Sequence, residues 1–255
     1  MLCLALPLSA WNTAGHEIVA QIALNQFSGA DQKKIAAKMG DIVAIAAQPD
    51  NDRAVSTVLS KWHYIDYPWV EEPVASQLKL VSKNDNIVWA LKEAKRALGK
   101  KKSQNSALSE IFKANLVHLV GDIHQPLHCI SRVTIKNPKG DKGGNLFEVR
   151  FGKKKETLHH LWDGGLGLLE NLSSEQILPL AREIEREFPI NKQKLEGAFE
   201  DWSKESFYLA KSKAYSTPEG VLVSDTYLKE GRFVVKERLA VAGYRLAHIL
   251  KELVL

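Results

Sequence analysis

Cysteine is almost missing from this chain, with two in 255 residues. Cys3 lies in the apolar opening Met1–Ala10 and Cys129 lies mid-chain, so the disulfide framework that staples small secreted domains is excluded. Internal repeats, low-complexity tracts and linkers rich in Pro, Gly or Ser are absent too, which argues against a solenoid or a tethered array. No apolar run approaches the ~20 residues of a membrane-spanning helix. Neither sign of charge dominates: 35 Lys and Arg against 30 Asp and Glu leave a net charge of +5. That small excess suits an anionic partner, nucleic acid or a phospholipid headgroup, without requiring one. Lys100–Lys102 and Lys153–Lys155 read as solvated loop charge.

Helical periodicity is what the chain has in quantity. Apolar positions recur at three and four residues over 14–28, 85–99, 107–124, 174–187, 194–214 and 231–254. With 45% hydrophobic and 25% charged residues, the sequence predicts one ordinary globular domain, mainly α. Strand-like alternation is confined to Val133–Ile135 and Leu146–Phe151. These bracket Asn137-Pro138-Lys139-Gly140, and the expectation is a small β-hairpin between them. The opening Met1–Ala10 reads as the end of a secretory signal, with Leu8-Ser9-Ala10 as a small-residue cleavage motif. Its removal leaves Cys129 as the only thiol, and bound metal would then be the natural staple for an exported protein.

The chemistry is concentrated in Asn115-Leu116-Val117-His118-Leu119-Val120-Gly121-Asp122-Ile123-His124-Gln125-Pro126-Leu127-His128. His118 and Asp122 are four residues apart in a helical pattern, so both leave one helix face, and His128 follows the break at Pro126. The pattern recurs in His159 and Asp163, after the Gly-rich loop Gly140–Asn145, and a looser version stands at His63 and Asp66. Pro49-Asp50-Asn51-Asp52-Arg53 places acids in a turn. Five of the eight histidines, His16, His63, His118, His128 and His159, lie near an acid or a breaker, as metal ligands do. The plainer reading is a helix with buried polar pairs. His248, on the amphipathic last helix, reads as a core or surface histidine.

Taken in order, Trp11-Asn12-Thr13-Ala14-Gly15-His16, Asp50–Arg53, His63-Tyr64-Ile65-Asp66, His118–His128 and His159–Asp163 resemble a known family. It is that of the zinc-dependent single-strand nucleases and 3′-nucleotidases, relatives of the bacterial zinc phospholipases C. The likeness runs from Trp11 to the Ala242-Gly243-Tyr244-Arg245-Leu246-Ala247 helix. It implies a single catalytic domain over 11–255, mainly α with a small β-hairpin, exported to the periplasm or medium after residues 1–10 are removed. It implies three Zn2+ ions, two of them bridged by Asp122. One of the pair takes Asp50, His63 and His118. The other takes His16 with the α-amine and carbonyl of Trp11, and the third ion takes His128, His159 and Asp163. Asp66 and Arg53 are implied to act in catalysis, and Tyr64 and Asn145 to contact the nucleotide. Read alone, Trp11 is a packing residue and Tyr64 is as much a core tyrosine as a base platform.

The implied substrates are single-stranded RNA and DNA, cut to 5′-phosphates, and 3′-nucleotides; the implied state is a monomer not inserted in membrane. The chain departs from the family in three places. Pro49 precedes Asp50 where relatives carry Trp-Ala, leaving Asp52 as a competing ligand; Gly164 replaces a polar residue; and the eukaryotic disulfides are absent, as in a bacterial-type enzyme. A zinc phospholipase C and a non-catalytic zinc-binding protein stand as the rival readings.

Overall fold

The computed structural model describes residues 11–53, 57–71, 81–100 and 107–255, with no side-chain placement at 52, 53, 57 and 58. The expected signal segment, Met1–Ala10, and the side chains of Arg53 and Asp52 therefore lie outside the described residues. The chain runs α1 (Thr13–Asn25), α2 (Gly29–Met39), α3 (Gln48–Arg53), α4 (Thr57–Ser60), β1 (Pro68–Val70), α5 (Ile87–Leu98), α6 (Ala107–Asp122), β2 (Ser131–Val133), β3 (Glu148–Phe151), β4 (Lys154–Thr157), α7 (Leu158–Asp163), α8 (Ser174–Glu187), α9 (Phe199–Ser212) and α10 (Asp225–Val254). The mainly helical architecture expected from the periodicity is the one observed, and no helix among the described residues is long and apolar enough to cross a membrane.

The helices start where side chains supply the missing acceptors. Asn12 Oδ1 accepts from Gly15 N at 3.1 Å to open α1, Asn86 caps α5 through Trp89 N, and Ser224 caps α10 through Tyr227 N. α6 is the central element. Every residue from Lys113 to Ser131 is buried, so the second half of this helix and the turn beyond it are enclosed on all sides. α5 covers one side of α6, α1 and α10 another, and α9 covers the turn that follows. The fully buried Ile18, Ile22, Leu91, Leu116 and Leu119 belong to the same continuous apolar cluster.

Two elements differ from the expectation. α2 was not anticipated, because only Ile35 and Met39 of its residues are buried and its apolar face is too sparse to register as a period. It rests on the Ser28 cap and on Ala- and Lys-rich composition. The expected hairpin between Val133–Ile135 and Leu146–Phe151 does not form. β2 instead pairs in parallel with β1, in the register Pro68↔Ser131, Trp69↔Arg132 and Val70↔Val133. β3 forms a hairpin with β4, Glu148 opposite Thr157 and Phe151 opposite Lys154, across a turn in which Gly152 has φ +59°. The Asn137–Gly140 turn is real and brings Asp141 back to Arg132 of β2, but no strand follows there, and the chain beyond it meets the start of α7 through Gly144 and Phe147. β4 carries Lys154, Lys155 and Glu156 and shows little apolar alternation, which hid it.

Candidate metal centre

The last turn of α6 places His118 and Asp122 on one buried face, as the spacing predicts. Three imidazoles surround the Asp122 carboxylate. Its Oδ2 lies 2.9 Å from His63 Nδ1 and 3.2 Å from His118 Nε2, while its Oδ1 lies 3.3 Å from His16 Nε2. Asp50 enters from α3, with Oδ1 3.6 Å from His118 Nε2 and 3.9 Å from His63 Nδ1. The His16 and His118 rings stack at 3.7 Å between centroids. A second group is built from the turn after α6 and from α7: His128 Nε2 and His159 Nε2 lie 3.8 and 3.4 Å from the Asp163 carboxylate. In each of three sets (His16, Asp50, His118; His63, His118, Asp122; His128, His159, Asp163) the potential ligand atoms all lie within 4.8 Å of one another.

The backbone decides which ring nitrogen faces inward. His118 Nδ1 donates to Ala46 O, His128 Nδ1 to His63 O and His159 Nδ1 to Gly143 O, each at 2.7 Å. A carbonyl can only accept, so each of these nitrogens carries the proton and each Nε2 presents a lone pair to its group. This is how proteins orient a metal-binding histidine. His16 supplies the test of fit. Neither of its buried ring nitrogens, nor Asp122 Oδ1, has a hydrogen-bond partner of acceptable geometry, although two of these atoms lie 3.3 Å apart. Lone pairs that converge without donors between them match the donor set of a borderline-soft divalent cation such as zinc.

Charge follows the same geometry. Burial holds His16 well below the usual histidine range, and neighbouring His118 pushes it the same way. Burial alone would raise Asp122, but His118, His63 and His16 outweigh it and keep the carboxylate ionised well below its ordinary range. For His118, burial lowers the value and the Asp122 and Asp50 carboxylates more than reverse it. An ionised carboxylate sealed among imidazoles calls for positive charge at the centre.

Two glycines permit the close approaches. A Cβ on Gly121 would stand 2.8 Å from His16 Nδ1, and the Trp11 indole donates to Gly121 O at 3.0 Å, so both N-terminal residues lie flat on α6. Gly143, at φ +63°, brings the 140–145 loop against the His128 turn and sends its carbonyl to His159. Trp11 thus packs against Gly15 and Gly121 with its side chain fully buried.

Of the remaining expected site residues, Tyr64 and Asp66 line a cavity of about 250 Å³ with Asn86, Val133, Lys61 and Lys139 on its walls, and none of the candidate metal ligands lines it. Asn145 is half-buried on the Gly-rich loop and donates its side-chain amide to Lys142 O at 2.8 Å. Asp50 reaches the histidines, and the rival Asp52 lies outside the described side chains. His248 lies on the surface, 3.1 Å from Glu252. Sequence reasoning overlooked Gln125 and His124. Gln125 donates to Asp163 Oδ1 at 2.6 Å while accepting from Leu127 N at 2.6 Å, which ties α7 to the His128 turn. Their placement between Asp122 and His128 was the available signal.

A family model described as S1/P1 Nuclease matches residues 11–255. Endonuclease 2 of Arabidopsis thaliana is 24% identical over 96% of this chain and 91% of its own length. Endonuclease 4 of the same plant is 32% identical over 54% of this chain and 48% of its own length. Nuclease S1 of Aspergillus oryzae is 40% identical over 48 residues, 19% of this chain and 14% of its own.

Proposed function

The chain belongs to the S1/P1 nuclease family and is thereby a hydrolase of phosphodiester bonds in nucleic acid; from that premise we propose a zinc-dependent endonuclease of single-stranded RNA and DNA that also acts as a 3′-nucleotidase. The observation that carries the zinc reading is the split loyalty of Asp122, whose Oδ1 faces His16 and whose Oδ2 faces His63 and His118. One carboxylate so placed suits a bridge between two cations. We assign one ion to Asp50, His63 and His118, its neighbour to His16 with the main-chain amine and carbonyl of Trp11, and a third to His128, His159 and Asp163. Zinc in these sites supplies Lewis acidity, neutralising phosphate charge and lowering the pKa of a water.

The chain's own residues do the rest. Tyr64, the residue after His63, offers a ring on the wall of a cavity, where an unpaired base stacks and a base held inside a duplex cannot reach. Asp66 lines the same cavity and takes the proton from the attacking water, whose oxygen bonds to phosphorus as the bond from phosphorus to the 3′-oxygen breaks. The departing 3′-oxygen takes a proton from solvent water, so the products are a 5′-phosphate and a free 3′-hydroxyl. Arg53, one helical turn beyond Asp50, is assigned to the phosphate, and Asn145 to a second nucleotide contact. The α-amine of Trp11 is free only after cleavage behind Ala10, so the reading includes export and removal of residues 1–10. The protein is taken as a monomer.

Purified mature protein tested on single-stranded DNA, RNA, 3′-AMP and phosphatidylcholine decides the matter, together with elemental analysis. The expected result is zinc-dependent cleavage of the first three. A fully zinc-loaded protein that hydrolysed only the lipid would overturn this function.

A further inference from the structure

His124 is buried in the middle of the segment that carries both Asp122 and His128, yet it points away from both metal groups. Its Nδ1 donates to Val120 O at 2.7 Å, which leaves Nε2 as an acceptor, and Arg245 Nη1 on α10 donates to it at 2.9 Å. Arg245 is committed on its other sides too. Its Nε donates to Lys194 O at 2.8 Å, both terminal nitrogens grip Glu205 of α9 at 2.7 Å, and its guanidinium lies 4.6 Å from the Trp202 ring centroid. Arg238, two helical turns earlier on α10, bonds Glu205 Oε2 at 3.1 Å and the His124 carbonyl at 3.3 Å. Ser206, also on α9, holds Ile123 O at 2.5 Å.

The turn's internal bonds, His124 N to Gly121 O and Gln125 N to Asp122 O, set its shape but not its position. That position decides where Asp122 and His128 meet the ligands carried by other elements, His16 and His63 for the first group and His159 and Asp163 for the second. Among the described residues, His124 is the one side chain inside the turn bonded to α10.

We propose that Arg245, held rigid by Glu205, acts through the His124 imidazole as a positioning residue that seats the turn carrying Asp122 and His128 against the other ligands of the two metal groups. A planar guanidinium bound on three sides has little freedom, and its one bond to His124 transmits that rigidity to the turn. The inference rests on the zinc reading above, and concerns residues that touch neither metal nor substrate.

The test uses the two amides that each mimic one imidazole nitrogen, in the zinc-loaded full chain. His124→Asn can keep the bond to Val120 O but gives up the acceptor for Arg245; His124→Gln restores that acceptor and gives up the other bond. The readouts are zinc retention against a competing chelator, thermal midpoint, and the split between kcat and KM on 3′-AMP. For the Asn variant the expectation is zinc held about tenfold less tightly, with kcat reduced by a similar factor and KM unchanged. The Gln variant should recover most of both. Glu205→Gln, at a partly exposed position, should reproduce the Asn signature and serves if His124→Asn does not fold. Equal impairment of the two His124 variants, or a fall in thermal midpoint with zinc retention and kcat intact, overturns the proposal. A wild-type protein that holds no zinc overturns the metal reading and this inference with it, and the wild-type metal count separates the cases.

Discussion

On the proposed assignment of three ions, Gly143→Ala should dismantle the group of His128, His159 and Asp163 while leaving the other two sites filled. Two costs add at this position. An L-residue at φ +63° sits in the left-handed region, at roughly 1–2 kcal/mol. The added methyl carbon would then stand 2.2 Å from Leu127 O and 3.3 Å from both His159 Nδ1 and Ile130 O. Relief requires the loop and the 127–130 turn to part by about 1 Å, and that turn carries His128 while the loop carbonyl orients His159. Strain and separation together come to about 2–4 kcal/mol, the upper range for a single substitution. In a chain of this size that lowers the thermal midpoint by roughly 5–10 °C. Differential scanning calorimetry and elemental analysis read the two parts independently, with zinc expected to fall from three ions to two. A Gly143→Ala protein with wild-type midpoint and three tightly held ions would refute the argument that the loop positions His159.

Further expectations concern the rest of the site. Asp122→Asn should empty two sites and His159→Ala mainly one, so equal metal counts in the two variants would contradict the bridging assignment. Tyr64→Ala removes a stacking term of about 1–3 kcal/mol, and steady-state kinetics on oligonucleotides should show KM rising roughly five- to hundredfold with zinc content unchanged. Glu205 offers a pH test. Burial raises its carboxyl, but Arg245 and Arg238 outweigh burial and hold it below the usual 4.5. A depressed folded-state value stabilises the protein fully above the unfolded value, and that contribution is lost as pH falls from 4.5 through the lower folded value. Chemical denaturation of wild type and Glu205→Gln across that window should therefore show the difference in stability narrowing on acidification; a constant difference would count against the ion pairs. N-terminal sequencing of exported protein should find Trp11 first, and a fully active, three-zinc protein retaining residues 1–10 would rule that out.

The candidate metal ligands were the most legible part of the chain because helical spacing is a local property. His118 with Asp122, and His159 with Asp163, each declare a shared face within five residues, and both pairs meet as that spacing requires. The supporting shell was illegible for an equally physical reason. The acceptors that orient the histidines are the main-chain carbonyls of Ala46, His63 and Gly143, and every residue type carries the same carbonyl. The strands were misread because β1 and β2 lie about sixty residues apart and pair in parallel, which no local turn announces. α2 escaped because it presents only Ile35 and Met39 to the core.

The pairing of β1 with β2 also bears on how the protein is made. Ile65 N bonds His128 O while His128 Nδ1 bonds His63 O, so the segment bearing His63 and the turn bearing His128 hold each other in place. Neither is in position until the intervening chain has been looped out, and that closure entropy is lost before either segment gains its partner. On the zinc reading, an ion present during folding would meet the histidine and aspartate pairs on α6 and α7 well before it met a finished centre. The early pairs can capture an ion but not close around it, and the order in which metal and long-range contacts arrive becomes a determinant of folding yield. Refolding from denaturant should run more cleanly when zinc is supplied after collapse than when it is present from the start.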